Sequence, residues 1–508
     1  VNDVLIVGGG LMGAAVAREL RDADPDVRIV IADGGPVIGP TPGQHLHDVA
    51  DPEIWERYNQ RVASGIQGFY TGVAPTADVG ATLVDVEPGM YHLTSLGENA
   101  AEMPAASIAW NAGGMGVHWT AATPAPWGDE IPSFVDSVEW RNDLDRAGEL
   151  LRVNRNPFPD TEAGRVVTAT IEKLFADVDA PGRGIQPMPM AAQRDAEGVL
   201  RRTGPNVIFP PIADAATDPN FTLLTGTRAI RLIHEGGEVR GAVLQDVRSG
   251  ATREIQAAAT VVCADTMRSP QLLFASGIRP PALGRYLNEH AFLTGRVLAD
   301  PQRLGFDLSA LPVPADGEIM VEHYWLPHSG AAQPFQVQIG TQTFTAEDGT
   351  RLAYQVGASF YIPTEIQADN RLEFSDEETD AMGMPRLTVH FGWSERDREL
   401  IEQARRTQQA LGDALGSFDP ATESALLDPG CSLHFTGTVR MGPADDGTSV
   451  CDPDCRVWGF DNLYVAGNGV VPTALVCNST LTGMTTAVRA ARAVLGRTSS
   501  TSTKQEQP

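Results

Sequence analysis

Basic residues are scarce in this 508-residue chain: 38 Lys and Arg stand against 65 Asp and Glu, giving a formal charge of −27 and a pI near 4.7. Nucleic acid and anionic membrane surfaces need a cationic footprint, so neither is an expected partner. The acidity otherwise reads as ordinary solubility. Cysteine is sparse as well. Cys263, Cys431, Cys451, Cys455 and Cys477 form an odd set, which argues against a disulfide framework and suits a reducing compartment. Cys451-Asp-Pro-Asp-Cys455 has no second cysteine or histidine pair nearby. It reads as a turn with two ordinary thiols, and no metal site is expected. No apolar run approaches the ~18 residues of a membrane-spanning helix. The N-terminus lacks the basic region and cleavage site of a secretory leader, although it starts at Val1 rather than Met, which leaves a removed leader open. The expected location is the cytoplasm. Internal repeats are absent, and the length suits two or more domains.

What is present begins at once. Residues 4–7 are an apolar run of buried-strand length, followed by Gly8-Gly9-Gly10-Leu11-Met12-Gly13 and a helical stretch over 14–22. A second strand over 28–32 ends in Asp33, twenty residues beyond Gly13. Gly8 suits the tight turn, Gly10 the close approach of a pyrophosphate, and Gly13 the contact of helix with strand. Asp33 can accept hydrogen bonds from ribose hydroxyls. The helix N-terminus supplies free N–H groups and a positive dipole end for the diphosphate. Strand, turn, helix and acid in this order indicate an ADP-containing cofactor.

Residues 36–104 are rich in Gly, Pro and Asp and read as a long surface excursion, a lid or a subunit contact. Residues 221–262 read as strands joined by turns at Gly236-Gly237 and Ser249-Gly250, a meander leading into the apolar run 259–264. Strand-like segments at 335–339, 352–362, 371–374 and 387–393 precede a charged helix over 394–415. They predict a second, α+β domain on a mainly antiparallel sheet. A last strand over 462–466 runs into Gly467-Asn468-Gly469, and a helix follows, capped by Ser479 or Thr480 and closed by Gly496. Residues 497–508 read as a disordered tail. The fold expected is α/β. Residues 1–130, 205–298 and 430–496 form a Rossmann-like cofactor domain, and 131–204 with 299–429 a substrate domain.

These motifs resemble the glucose–methanol–choline (GMC) oxidoreductase family. Residues 4–33 match its FAD-binding unit. Thr260-Val-Val-Cys-Ala264 with Arg268-Ser-Pro-Gln-Leu-Leu273 and Ser276-Gly277-Ile278 is similar to its second signature, and Leu283-Gly-Arg-Tyr-Leu-Asn-Glu-His290 to a motif beyond it. Gly113-Gly-Met-Gly-Val-His-Trp-Thr-Ala-Ala-Thr-Pro124 and His434-Phe-Thr-Gly-Thr-Val-Arg-Met-Gly442 resemble the pyranose-oxidase-like branch, and Gly459-Phe-Asp-Asn-Leu463 adds to it. The resemblance implies FAD held by Gly8, Gly10, Leu11, Met12, Gly13 and Asp33, by Gly113, Gly114, Met115, His118, Trp119 and Thr120, and by Ala229, Asn468, Gly469 and Thr480. His118 occupies the position that carries flavin covalently in that branch. Gly116-Val117 replaces the hydroxylic pair before it, so attachment and a histidine merely packed beside the flavin both stay open. Thr120 is placed near flavin N5.

The resemblance puts catalysis on His434, as base, and Asn478, as anchor of the substrate oxygen. The chemistry wants such a pair, because oxidising a secondary alcohol removes the hydroxyl proton and moves hydride to the flavin. His45, His47, His92, His234, His323, His328 and His390 read as ordinary core or surface groups. Gln338 matches a sugar-contacting glutamine. Gly340 stands where a second sugar contact, a histidine, is expected. The function implied is oxidation of a pyranose-ring hydroxyl, at C3 or C2, in sugars or glycosides, C-glycosides included. Oxygen or a quinone-like compound is the final acceptor, and the oligomeric state stays open between a monomer and a homo-oligomer. Two rival readings remain: a GMC enzyme for a non-sugar alcohol, and a lyase or binding protein that keeps FAD structurally.

Overall fold

The computed structural model describes residues 2–61, 88–175, 180–313 and 320–505. Five parallel strands form its first sheet, in the order Phe221–Leu224, Ile29–Ala32, Asn2–Val7, Thr252–Val262 and Leu463–Val465. Val4, Leu5, Ile6, Ile31 and Val261 are wholly buried, which is why these strands read as continuous apolar runs. The N-terminal half of Thr252–Val262 pairs with an antiparallel meander made by Glu238–Asp246 and Thr227–Glu235. The apolar run 259–264 is therefore largely the continuation of the meander's last strand, Thr252–Val262, with no turn-forming residue between them. The helices Leu11–Ala23 and Ser479–Gln505 pack on each other beside this sheet.

The second sheet is antiparallel, in the order Gly416–Ser417, Ala291–Ala299, Arg351–Ile362, Gln336–Thr345, His323–Leu326 and Gln186–Pro187. One face buries Leu293, Val297, Val337, Ile339, Val356 and Phe360 against the helices Glu162–Leu174 and Glu395–Leu415. Side chains alternate along a strand, so Phe292, Gln336, Gln338 and Tyr361 point from the opposite face. That face builds the site.

Packing cuts across the ranges expected from sequence. Ala291–Ala299 belongs to the second sheet, although the 205–298 range assigned nearly all of it to the cofactor domain. The Ser137–Leu150 helix, inside 131–204, buries Trp140, Ala147 and Leu150 in the cofactor-domain core. The hairpin of Arg371–Thr379 and Pro385–His390 stands apart from both large sheets, burying Leu372 and Leu387 against Leu93 and Met103. Periodicity shows that an element has a buried face, but not what covers it.

Two further expectations change. Of the 36–104 stretch, residues 62–87 lie outside the described residues. Gly89–His92 pairs with Ser107–Trp110, and Leu93, Leu96 and Met103 are fully buried. That part is core rather than a surface excursion; its apolar residues are too broken by Gly and Pro to show a period. The last helix passes Gly496 and continues to Gln505, where a stop and a disordered tail were expected. An interior Gly costs only about 1 kcal/mol relative to Ala. The buried stripe of Met484, Val488 and Ala491 already holds the helix from which the last turns propagate.

Candidate active site

A cleft of about 330 Å³ opens at the carboxyl ends of the parallel strands, the usual ligand position in an open α/β sheet. Gly8, Gly10, Leu11, Met12, Asp33, Gly114, Met115, Trp119, Ala229, Asn468 and Thr480 line it. Gly8 takes φ +106°, and a Cβ there would overlap the Cys263 carbonyl; one at Gly13 would overlap the Gly8 carbonyl. These two glycines let turn, strand and helix touch. At Gly10 an added Cβ would meet nothing closer than 3.6 Å, and at Gly114 nothing within 4 Å, so both leave open space. The Leu11–Ala23 helix starts there with no side-chain cap, leaving its first N–H groups for an anion.

Other expected contacts sit one layer back. The Asp33 carboxylate accepts hydrogen bonds from the N–H groups of Gly9, Gly35 and Gly113, at 3.0, 2.9 and 3.1 Å, so it ties the glycine turn together before it meets any ribose. Gly13, Gly113, Gly469, His118 and Thr120 are not among the cleft-lining residues. A Cβ on Gly469 would come within 3.0 Å of Val439, so its role is close packing. Thr120 is exposed, and His118 is buried, with its pKa pushed down to about 4 by burial.

The cleft suits FAD on its own chemistry. Gly10, Leu11 and Met12 line the cleft where the uncapped helix starts, so its first N–H groups meet a diphosphate, and Gly10 and Gly114 leave the room it needs.

His434 and Asn478, 44 residues apart in sequence, meet with Nε2 and Nδ2 3.4 Å apart. Each is held by a buried carboxylate. Glu289 accepts from the N–H of Gly430, at 2.5 Å, and from the N–H and hydroxyl of Ser432, at 3.1 and 2.8 Å; Ser432 Oγ in turn accepts from the His434 N–H at 3.2 Å. Burial pushes Glu289 up to about 7 against those donors. Leu433, just before His434, takes φ +58°, a conformation costing on the order of 1–3 kcal/mol outside glycine. On the other side Glu130 accepts from the N–H groups of Val476 and Cys477 at 2.6 and 2.7 Å, and pairs with His328 at 2.7 Å. Burial alone would raise the Glu130 pKa, but His328 and the backbone donors bring it below its ordinary value. Burial, reinforced by His290, holds His434 well below the ordinary 6.5.

That depression has a sign. To act as a base His434 would have to be neutral, and its lowered pKa keeps it neutral as the pH falls through 6.5. Anaerobic flavin reduction should therefore be flat across that pH and slow only further into acid. Stopped-flow reduction against pH checks this, and a fall centred at or above 6.5 contradicts it.

Gln338 Nε2 donates to Asn478 Oδ1 at 2.5 Å, and Gln336 Nε2 donates to the same oxygen at 3.1 Å. Gln336, Trp325, His290, Tyr361, Glu130, Glu289 and His328 were not expected at the site. Gln336 carried a signal, since it lies two residues from Gln338 and shares its strand face. His290 ended a quoted motif. His328 is a buried histidine satisfied by Glu130, in keeping with its reading as an ordinary core group. At Gly340 an added Cβ would come within 2.9 Å of Met320 Sδ, so Met320 fills the space a histidine there would need. All five cysteines are buried and unpaired. Among the described residues no cluster could hold a metal and no helix is long and apolar enough to cross a membrane.

Known proteins resemble this chain over nearly its full length. Residues 211–292 and 367–487 match the models of GMC oxidoreductases. The chain is 37% identical to a C-glycoside 3-oxidase of Microbacterium trichothecenolyticum, with 96% of each chain covered. It is 27% identical to a pyranose 2-oxidase of Tricholoma matsutake, covering 97% of this chain and 93% of that one. Pyridoxine 4-oxidase from Mesorbium loti shares the fold, with a TM-score of 0.62 at 20% identity over 97% of this chain and 99% of the other. The chain belongs to the GMC oxidoreductase family, FAD-dependent enzymes that act on CH–OH groups.

Proposed function

We propose that this enzyme oxidises a secondary ring hydroxyl of a pyranose, in glycosides ahead of free sugars and at C3 ahead of C2, to the keto-sugar. The observation that carries the reading is the meeting of His434 Nε2 and Asn478 Nδ2 at 3.4 Å under the polar sheet face of Gln336 and Gln338. Asn478 holds the substrate oxygen and His434 Nε2 takes its proton, the general-base contribution being about 10²–10⁴-fold. Gln336 and Gln338 hold the Asn478 amide in one orientation, which places the reacting carbon. FAD, bound in the cleft, supplies the hydride acceptor. The N-terminus of the Ser479–Gln505 helix, beside Asn478, favours negative charge in that region.

The likeness to C-glycoside 3-oxidases supports C3 and C-glycosides. Met320 beside Gly340 supports a pocket unlike that of the free-sugar enzymes. The final acceptor in this reading is oxygen, with a quinone-like compound as the second choice. NMR of the products from a small glycoside panel tests the proposal, together with flavin bleaching under nitrogen. A 3-keto glycoside is expected. Bleaching by benzyl alcohols and by no sugar or glycoside would move the enzyme to a non-sugar alcohol. Gly116-Val117 stands where that branch has a hydroxylic pair before the histidine, and on that ground we read the flavin as non-covalently held. Acid precipitation should leave the yellow colour in the supernatant; colour in the pellet refutes this.

A further inference from the structure

We propose that His290 is a positioning residue that sets the tautomer of His434, through a hydrogen-bond chain whose two ends permit only one direction. The inference rests on the reading of His434 as base. It starts from atoms that have no choice. The Trp325 indole N–H can only donate, and it donates to Gln336 Oε1 at 2.8 Å. Gln336 must therefore offer its Nε2 to Asn478 Oδ1, 3.1 Å away. Gln338 Nε2 reaches the same oxygen, so the Asn478 amide is oriented twice over, with Nδ2 facing His434 Nε2.

The other end is closed by a carbonyl. Leu475 O can only accept, so His290 Nε2, 2.9 Å from it, carries a proton. Burial pushes the His290 pKa down to about 4, which keeps the ring neutral and leaves its Nδ1 as an acceptor. His434 Nδ1 lies 3.2 Å from that atom, and two lone pairs cannot face each other there. His434 therefore carries its proton on Nδ1. The lone pair is left on Nε2, the atom beside Asn478 where a substrate oxygen would be held. Each bond in the chain runs from donor to acceptor, from Trp325 to Leu475. When the substrate hydroxyl gives up its proton, an N–H bond forms at Nε2. The Nδ1–H already donates to His290, so no second proton has to move.

The test reads protonation as well as rate. In protein labelled with 15N-histidine, the ring nitrogens of neutral His434, identified by their loss in His434→Ala, should show Nδ1 protonated and Nε2 bare; the reverse pattern overturns the proposal without any variant at 290. His290→Phe removes the acceptor, and flavin reduction should slow by about ten- to a hundredfold with KM changed little, as expected of a base freed to take the wrong tautomer. His290→Gln can donate to Leu475 and accept from His434, so it should return the rate to within about threefold of wild type. Wild-type rate in His290→Phe, with His434→Ala inactive, overturns the tautomer role and leaves the base assignment standing. An active His434→Ala overturns the base assignment itself.

Discussion

The His434→Ala variant should fold, keep its yellow colour, and lose about 10²–10⁴-fold in the rate of flavin reduction. The size of the effect follows from what is removed. Nε2 is the imidazole nitrogen nearest the Asn478 amide, and Asn478 itself cannot accept a proton at neutral pH. Retention of flavin follows from position, because His434 is not among the residues lining the dinucleotide cleft. The loss should appear in kcat more than in KM, since Asn478 and the two glutamines still orient the substrate oxygen. Absorbance at the flavin band and single-turnover reduction under nitrogen measure both halves. A variant that reduces at the wild-type rate would remove the base, and with it the proposed function.

The second large effect is a contrast between neighbouring glycines. Gly13→Ala should destabilise the fold and yield colourless or aggregated protein. Its Cβ would overlap the Gly8 carbonyl, a backbone atom that cannot swing aside. The ~1 kcal/mol that alanine gains in a helix does not offset overpacking of about 1–3 kcal/mol or more. Gly10→Ala should behave differently. Its Cβ meets no protein atom closer than 3.6 Å, so thermal stability without flavin should change by less than about 0.5 kcal/mol. The methyl instead stands where a pyrophosphate must approach the helix N-terminus. FAD affinity should fall on the order of ten- to a hundredfold, the equivalent of ~1–3 kcal/mol of overpacking. Flavin titration of the apoproteins, with melting curves, separates the two. Equal flavin affinity in Gly10→Ala and wild type would show that the cofactor does not run past this turn.

The unit from Asn2 to Asp33 is legible because its parts are contiguous. A buried strand, a turn that admits only glycine and a helix start are each decided within a few residues. His434 and Asn478 were reached through motifs, which carry position without geometry. The amino-acid order alone therefore determined the cofactor class and the family, and it singled out His434 and Asn478 as the pair proposed to react.

Only the folded chain decided the rest. Trp325 and Gln336 meet across an antiparallel register on a sheet of the second domain, and His290 ends its chain on the carbonyl of Leu475, 185 residues away. Gln336 shares a strand face with Gln338 and His290 ends a motif, but neither position shows which distant group it will meet. The same holds for Leu372 packing on Leu93, and for Glu130 bracing the turn before Asn478. Apolar periodicity and motifs report what a segment does to its own backbone and faces. Which faces meet, and which way each proton points, is set by packing between segments far apart in the chain.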